Sequence, residues 1–169
     1  MNKPNLKFLL SHPAHFFAMG FGSGLAPKAP GTFGTLLGLP LFWLIADFSL
    51  TAQLSIISVL FLIGIYFCDK TGQDLGVADH GSMVWDEIVA MMLVLAFTPP
   101  SWLSWLVAFL LFRLFDIWKP FPIRQLDAKL KNGFGVMLDD LLAAIYAILS
   151  LKIILWIITA ILLLNLANF

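Results

Sequence analysis

Five apolar runs constrain the fold of this chain more than any other feature of its sequence. They extend over Leu36 to Ala46, Leu54 to Cys68, Ile88 to Phe97, Trp102 to Phe115 and Leu141 to Leu164. Hydrophobic side chains make up 60% of the 169 residues and charged side chains only 12%, a composition far from that of the average soluble domain. The sequence therefore predicts an all-α, multi-pass membrane bundle of about five helices, which forms a single domain over residues 1–169.

The runs differ in length, and the length of a run decides whether its helix can cross the bilayer. The runs at 36–46 and 88–97 are shorter than the roughly 20 residues that a helix needs to cross the hydrocarbon core. Each of these two is expected to be a short or re-entrant helix, or to pack inside the bundle.

The connections between the runs predict how the chain is oriented. Short links at 47–53 and 98–101 join the first four runs into two hairpins, so the longer connections at 18–35, 69–87 and 116–140 fall together on the opposite side. Nine of the ten basic residues lie on that side: Lys3, Lys7, Lys28, Lys70, Arg113, Lys119, Arg124, Lys129 and Lys131. Because cytoplasmic loops are enriched in lysine and arginine, we expect the polar connections to form the cytoplasmic face.

Composition also excludes several classes of function. Ten basic residues balance ten acidic ones, so the basic footprint of a nucleic-acid-binding protein is absent. Cys68 is the single cysteine and lies in an apolar run, which argues against a disulfide framework and against a thiolate metal site. His12, Pro13 and His15 interrupt any signal-peptide core near the N-terminus.

Acidic side chains are concentrated in the same three connections. Nine of the ten lie in or beside them: Asp69, Asp74, Asp79, Asp86, Glu87, Asp116, Asp127, Asp139 and Asp140. Such a cluster favours a bound cation, and carboxylates without cysteine or a histidine-rich set suit Mg²⁺ better than Zn²⁺. The predicted metal ligands are Asp79, Asp86, Glu87, Asp139 and Asp140. A helix-capping role is the simpler alternative for Asp79.

The expected positions of these acids along the helices decide what each one indicates. Asp86 and Glu87 adjoin an apolar run, where ionisable groups are costly unless they are paired or functional. Asp139 and Asp140 are expected in the first turn of the last helix, where the helix dipole favours carboxylates with or without a metal. Asp69 is expected just past a helix C-terminus, where the dipole disfavours an anion, with the adjacent lysine as its partner.

Basic side chains at the end of the fourth run complete a phosphate site. Arg113, Asp116 and Lys119 follow i, i+3, i+6 spacing just before Pro120, which aligns them on one helical face. An ion pair at the membrane interface is the simpler alternative, with the basic side chains reaching toward water. Beside carboxylates that hold a hard metal, however, these cations favour binding of a phosphate, and in a membrane protein a phospholipid headgroup.

The glycine-rich segment "GFGSGLAPKAPGTFGT" at 20–35 is expected to contribute to the same site. Glycine permits close backbone approach, so such a loop can turn its amides toward an anion while a lysine supplies charge. The predicted substrate contacts are Lys28, Gly31, Thr32, Arg113 and Lys119. A tight turn that simply enters a helix near Thr32 is the alternative.

Three segments carry a resemblance to a known family. They are "LAPKAPGTFGTLLGLP", "DHGSMVWDEIV" and "FRLFDIWKPFPIRQLD" followed by "GFGVMLDD", and in this order they look like the three signatures of phosphatidylglycerophosphatase A, a bacterial lipid phosphatase family. The resemblance runs from about residue 20 to about residue 145. It implies an all-α fold, a bacterial inner-membrane location, Mg²⁺ dependence, and removal of the terminal phosphate of phosphatidylglycerophosphate to give phosphatidylglycerol. It carries over these motif positions: Asp79, Asp86, Glu87, Arg113, Asp116, Lys119, Asp139 and Asp140.

The mechanism expected from these residues is metal-assisted attack of water on the phosphoryl group. The predicted catalytic residues are Asp86, Glu87, Arg113, Asp116 and Lys119. Arg113 and Lys119 would stabilise the equatorial oxygens, and Asp116 would orient one of them or bind the metal. A covalent aspartyl-phosphate route stays open.

Functions from other classes fit the same residues less well. A small ion or proton transporter could use the acidic cluster as a cation path, but the acids gather at one face and no inverted repeat is evident. A non-catalytic assembly subunit would leave the acidic cluster without a role. A phosphotransferase acting on lipid-linked alcohols would require a DGxxAR signature, which the chain lacks.

Overall fold

The regular structure of the protein is helical. The computed structural model describes residues 4–167, and every regular element within that range is a helix. The helices are α1 (Leu6–Leu9), α2 (Pro13–Ala18), a 3₁₀ segment (Gly20–Leu25), α3 (Pro30–Trp43), α4 (Leu50–Leu75), α5 (Trp85–Ala96), α6 (Trp102–Trp118), α7 (Ile123–Lys129) and α8 (Gly133–Ala167). The predicted all-α class is confirmed. Lys3, one of the basic residues counted above, lies outside the described residues.

Each of the five apolar runs lies largely within one long helix, and the four short helical segments were not predicted. Among the described helices, Leu50–Leu75 and Gly133–Leu166 are long and apolar enough to cross a membrane. The other three, α3, α5 and α6, have 14, 12 and 17 residues. At about 1.5 Å per residue these are shorter than the roughly 30 Å hydrocarbon core.

Two helices extend well beyond their apolar runs, and this moves several charged residues into helices. α4 continues past Cys68 and ends at Leu75, and Gly76, whose φ is 69°, provides a left-handed cap. Asp69 therefore lies inside α4, and the prediction that it follows a helix C-terminus is wrong. Its carboxylate accepts hydrogen bonds from the Gly133 N–H at 3.1 Å and from Gln73 Nε2 at 2.7 Å, so it caps the start of α8.

The predicted partner of Asp69 is wrong as well. Lys70 Nζ contacts both carboxylate oxygens of Asp74 at 2.6 Å, one turn further along α4. Asp74 also accepts from His15 Nε2 at 2.9 Å. Because His15 is buried and belongs to α2, this contact ties the N-terminal helices to the polar end of α4.

Helix α5 occupies the centre of the bundle and packs against α3, α4, α6 and α8. Most of its residues are buried, so an apolar run too short to span a bilayer is enclosed by the other helices. Small residues on α3 permit close contact: a Cβ added at Gly38 would lie 2.9 Å from Met91 Cβ and 3.0 Å from the Ile88 carbonyl oxygen. Because the start of α3 also meets the start of α5, these two helices run in the same direction.

The directions of the helices bring the polar connections to one end of the bundle. The starts of α3 and α5, the end of α6 and the first turns of α8 meet there, as the contacts of Glu87 and Lys119 show below. The opposite end holds the short link after α5, where Lys152 Nζ lies 5.2 Å from the centre of the Phe97 ring. The site is therefore assembled at one end of the helices.

Candidate active site

Three carboxylates from two helices form the centre of the site. Asp86 and Glu87 lie in the first turn of α5, and Asp140 comes from α8. Each offers an oxygen atom, and these three oxygens lie within 4.8 Å of one another. Asp86 is 8% exposed and Asp140 is 3% exposed, so their charges are held away from bulk solvent.

The helix dipole stabilises Asp86 and Glu87 and not the predicted pair, Asp139 and Asp140. Because α8 begins at Gly133, Asp139 and Asp140 lie in its second turn, and the prediction that they occupy the first turn is wrong. Asp86 and Glu87 are the acids in a first turn, where the positive end of the α5 dipole favours them. Asp140 lacks this stabilisation, although it is buried.

Several carboxylate oxygens in this cluster have no partner among the described residues. Asp86 Oδ1, Glu87 Oε2 and Asp140 Oδ2 are buried and accept no hydrogen bond. Buried charged oxygens are costly unless they are paired or bind a metal. Within residues 4–167, no sulfur or imidazole lies near enough to join these carboxylates. Three carboxylates from two helices fit a hard divalent cation such as Mg²⁺.

Arg113 of α6 lies beside the cluster and contacts side chains of α3 and α5. Its Nη1 atom is 3.6 Å from Glu87 Oε1, 3.4 Å from Thr35 Oγ1, and paired with the carboxylate of Asp116. The side chain of Arg113 is 15% exposed, and its guanidinium joins α3, α5 and α6. Asp116 thus fixes the direction of the arginine from one turn further along the same helix.

The start of α3 packs directly on these two charged groups. A Cβ added at Gly31 would collide with Glu87 Oε1 and lie 3.1 Å from Arg113 Nη1. Glycine therefore lets α3 approach without displacing the carboxylate of Glu87. None of the described residues caps this helix end with a side chain, and the N–H of Thr32 bonds back to the Ala29 carbonyl at 3.0 Å. The amide of Gly31 is left at the edge of the cluster.

Lys119 lies just beyond the end of α6 and joins α7 to α8 through Asp127 and Asp139. Its ammonium pairs with Asp139 and lies 3.0 Å from Asp127. Burial works against the charge of Lys119, but the two carboxylates outweigh burial and raise the pKa of Lys119 well above its ordinary value. Asp127 is also bonded by Lys131; although partial burial opposes its charge, these two lysines lower the pKa of Asp127. Lys119 is therefore a fixed positive charge at any physiological pH.

The structure brings together most, but not all, of the residues predicted to form the site. Asp86, Glu87 and Asp140 meet, whereas Asp139 is engaged by Lys119 and Asp79 is exposed in the connection before α5. Lys28 is exposed in the loop before α3.

Two side chains that the sequence reasoning missed hold the basic residues in place. Thr35 donates its hydroxyl to the Gly31 carbonyl at 2.8 Å and faces Arg113, and Asp127 anchors Lys119. The i, i+4 spacing of Asp127 and Lys131 was the only local signal of this second contact.

Comparison with known proteins gives a consistent result. The model of the family described as Phosphatidylglycerophosphatase A matches residues 16–155. A relative from Haemophilus influenzae named Phosphatidylglycerophosphatase A is 53% identical over 150 residues, which cover 88% of this chain and 92% of the relative. Another of the same name from Escherichia coli is 44% identical over 138 residues, which cover 80% of each chain.

A third relative carries a different name. It comes from Bacteroides thetaiotaomicron, is 37% identical over 147 residues, covers 82% of this chain and 91% of its own, and is provisionally named a phosphatidylinositol-3-phosphatase. No solved structure matches this chain.

Proposed function

This chain belongs to the phosphatidylglycerophosphatase A family, and on that premise we propose that the carboxylate cluster with Arg113 and Lys119 is its active site. The reaction removes the terminal phosphate of phosphatidylglycerophosphate and leaves phosphatidylglycerol. One observation carries the site assignment: buried carboxylate oxygens of α5 and α8 that have no hydrogen-bond partner in the described part of the chain lie beside the guanidinium of Arg113. An anion with a divalent cation is the ligand that this arrangement of charges complements.

Mg²⁺ is the cofactor that we propose for this cluster. Asp86, Glu87 and Asp140 would hold it, because their oxygens converge within 4.8 Å. When bound, a divalent cation offsets the charge of the carboxylates and polarises a phosphoryl oxygen. Asp139 and Asp79 are assigned outside this set, since the first is paired with Lys119 and the second is exposed.

The basic residues bind the three outer oxygens of the phosphoryl group. Arg113 is directed by Asp116 and Thr35, and Lys119 by Asp139 and Asp127. Groups fixed in this way lose little freedom when charge builds up in the transition state, which is where electrostatic stabilisation has its largest effect.

The loop before α3 adds further contacts to the same phosphate. Gly31 brings a backbone amide to the edge of the cluster, and Thr32 follows it in the first turn. Lys28 supplies a solvent-exposed positive charge that attracts the anionic headgroup.

The reaction exchanges one bond at phosphorus for another. The oxygen of water forms a new bond to phosphorus, the bond to the glycerol oxygen breaks, and the products are inorganic phosphate and the lipid alcohol. In the covalent alternative a carboxylate oxygen attacks first, and water then hydrolyses the acyl phosphate. Hydroxylamine added during turnover separates the two, because it converts an aspartyl phosphate to a stable hydroxamate that mass spectrometry detects.

The predicted multi-pass topology in the bacterial inner membrane, with the site toward the cytoplasm, is part of this proposal. It is supported by the two helices long enough to span a bilayer and by the location of the site at one end of the bundle. Cysteine introduced at Lys131 should react with a membrane-impermeant maleimide only after spheroplasts are permeabilised, whereas cysteine at Asp47 should react before. The reverse labelling pattern would place the site on the outer face.

Release of phosphate from phosphatidylglycerophosphate in detergent micelles tests the activity and the site together. Purified protein should require Mg²⁺, and Asp86→Asn and Lys119→Ala should each lose the activity. Asp47→Asn is the matched control, because Asp47 is an exposed acid in the link between α3 and α4. Equal rates in all variants would remove the site assignment. Parallel assays with phosphatidylinositol 3-phosphate measure how strictly the headgroup is selected.

A further inference from the structure

An apolar cavity of about 350 Å³ lies between α4, α5 and α8. Its lining includes Ile57 and Phe61 of α4, Val89 and Leu93 of α5, and Leu141 of α8. The single charged residue in the lining is Asp86, which is also a member of the carboxylate cluster. The cavity and the candidate active site thus share one side chain.

The cavity follows the helices away from the site. Its α5 lining consists of Asp86, Val89, Ala90 and Leu93, which lie at i, i+3, i+4 and i+7 on one face of the helix. Seven residues of α-helix span about 10 Å, so the cavity extends about that far from the cluster. A molecule that fills it would have one polar end and a long apolar body.

The rim of the cavity lies on the exposed surface of a candidate membrane-spanning helix. Ser58 and Leu62 line the cavity and are exposed on α4. Helix α4 is a candidate membrane span, and only 17% of its apolar 18-residue stretch is buried within the protein. An opening on such a surface admits molecules from the hydrocarbon phase. Water would gain few hydrogen bonds there, because the lining is apolar apart from Asp86 and Ser58.

We propose that this cavity binds an acyl chain of the lipid substrate, which enters sideways from the bilayer and places its phosphate at the carboxylate cluster. This inference rests on the proposed lipid phosphatase function. A phospholipid has the required form, since its chains and its phosphates belong to one molecule. The cavity therefore makes the length of the acyl chain a determinant of specificity.

A chain-length comparison tests the cavity. Each buried methylene contributes about fourfold in affinity, so Ser58→Phe, which fills the cavity from its rim, should lower kcat/KM for the dioleoyl substrate at least tenfold. The dihexanoyl substrate has chains too short to reach the rim of the cavity. Its rate with Ser58→Phe should stay within twofold of the wild-type rate. Ser55→Phe is the matched control, because Ser55 is an exposed serine on the same helix that does not line the cavity.

A second measurement does not depend on turnover. A phosphatidate analogue with a diazirine on its acyl chain, photolysed in vesicles that contain the protein, should label the lining segments 57–62 and 89–93. Labelling of these segments in protein that releases no phosphate from phosphatidylglycerophosphate would refute the proposed phosphatase while supporting the cavity. Phosphate release with labelling confined to other helices would refute the cavity alone.

The kinetic outcomes also decide the proposal. Equal effects of Ser58→Phe and Ser55→Phe, or an equal loss on both substrates, would overturn it. If the cavity is instead filled by a side chain from a second copy, Ser58→Phe would change the oligomeric state in size-exclusion chromatography and leave the chain-length preference as in the wild type, which would overturn it as well.

Discussion

Replacing Asp140 with asparagine should stabilise the metal-free protein while it abolishes activity. The oxygens offered by Asp86, Glu87 and Asp140 lie within 4.8 Å of one another, and two unit charges at that separation repel by about 3.5 kcal/mol at an effective dielectric constant of about 20. Arg113 lies 3.6 Å from Glu87 and offsets its charge. Arg113 is also paired with Asp116, so its single charge leaves repulsion within the cluster. Asp140→Asn removes the part of that repulsion that Asp140 contributes, without changing the shape of the side chain.

We expect a gain of up to about 3 kcal/mol in the free energy of unfolding, which for a chain of this size corresponds to a rise in Tm of about 6–12 °C. The assay is thermal unfolding in detergent, followed by tryptophan fluorescence in EDTA and in Mg²⁺. Mg²⁺ should raise the Tm of the wild type, because a ligand that binds only the native state stabilises it. The rise should be much smaller for Asp140→Asn, and Asp47→Asn should behave as the wild type. A lower Tm for Asp140→Asn in EDTA, or an unchanged response to Mg²⁺, would refute the reasoning.

Three further predictions concern the groups around the cluster. Lys119→Ala should lower the rate of phosphate release by about 10²–10³-fold, as expected for a lost transition-state contact, whereas Lys131→Ala, at a side chain that is 54% exposed, should retain most activity. Gly31→Ala should lower activity at least tenfold and raise the Mg²⁺ concentration needed for half-maximal rate, because the new methyl group displaces a site carboxylate; Gly81→Ala is the control, since nothing lies within 4 Å of an added Cβ there. Because the pKa of Asp127 is lowered in the native state, its ion pairs stabilise the protein above the ordinary carboxyl pKa of about 3.9 and are lost as the pH falls through the native value. Asp127→Asn should therefore destabilise the protein at pH 7, and the difference in Tm from the wild type should vanish under strongly acidic conditions.

Local composition was sufficient to predict the helices and the polar end of the bundle. A long run of apolar side chains favours a helix that is buried in protein or in the bilayer. Each of the five runs accordingly lies largely within a helix of the structure. The ends of the helices were less predictable. The last turns of α4 and the first turns of α8 are polar or glycine-rich, and they are helical because Asp69 caps Gly133 and because Gly76 supplies the left-handed cap.

The residue types of the site also came from the sequence, but their grouping did not. Carboxylates, arginine and lysine beside apolar runs predicted a metal and phosphate site, and the family resemblance named the reaction. Which acids would meet depended on the packing of helices that are distant in the chain. Gly31 lets α3 approach Glu87 and Arg113, while Asp140 reaches the cluster from the second turn of α8. Contacts of this kind arise from helix direction and close packing, which the linear pattern of hydrophobic and charged residues does not encode. The tertiary structure alone therefore decided which carboxylate oxygens converge.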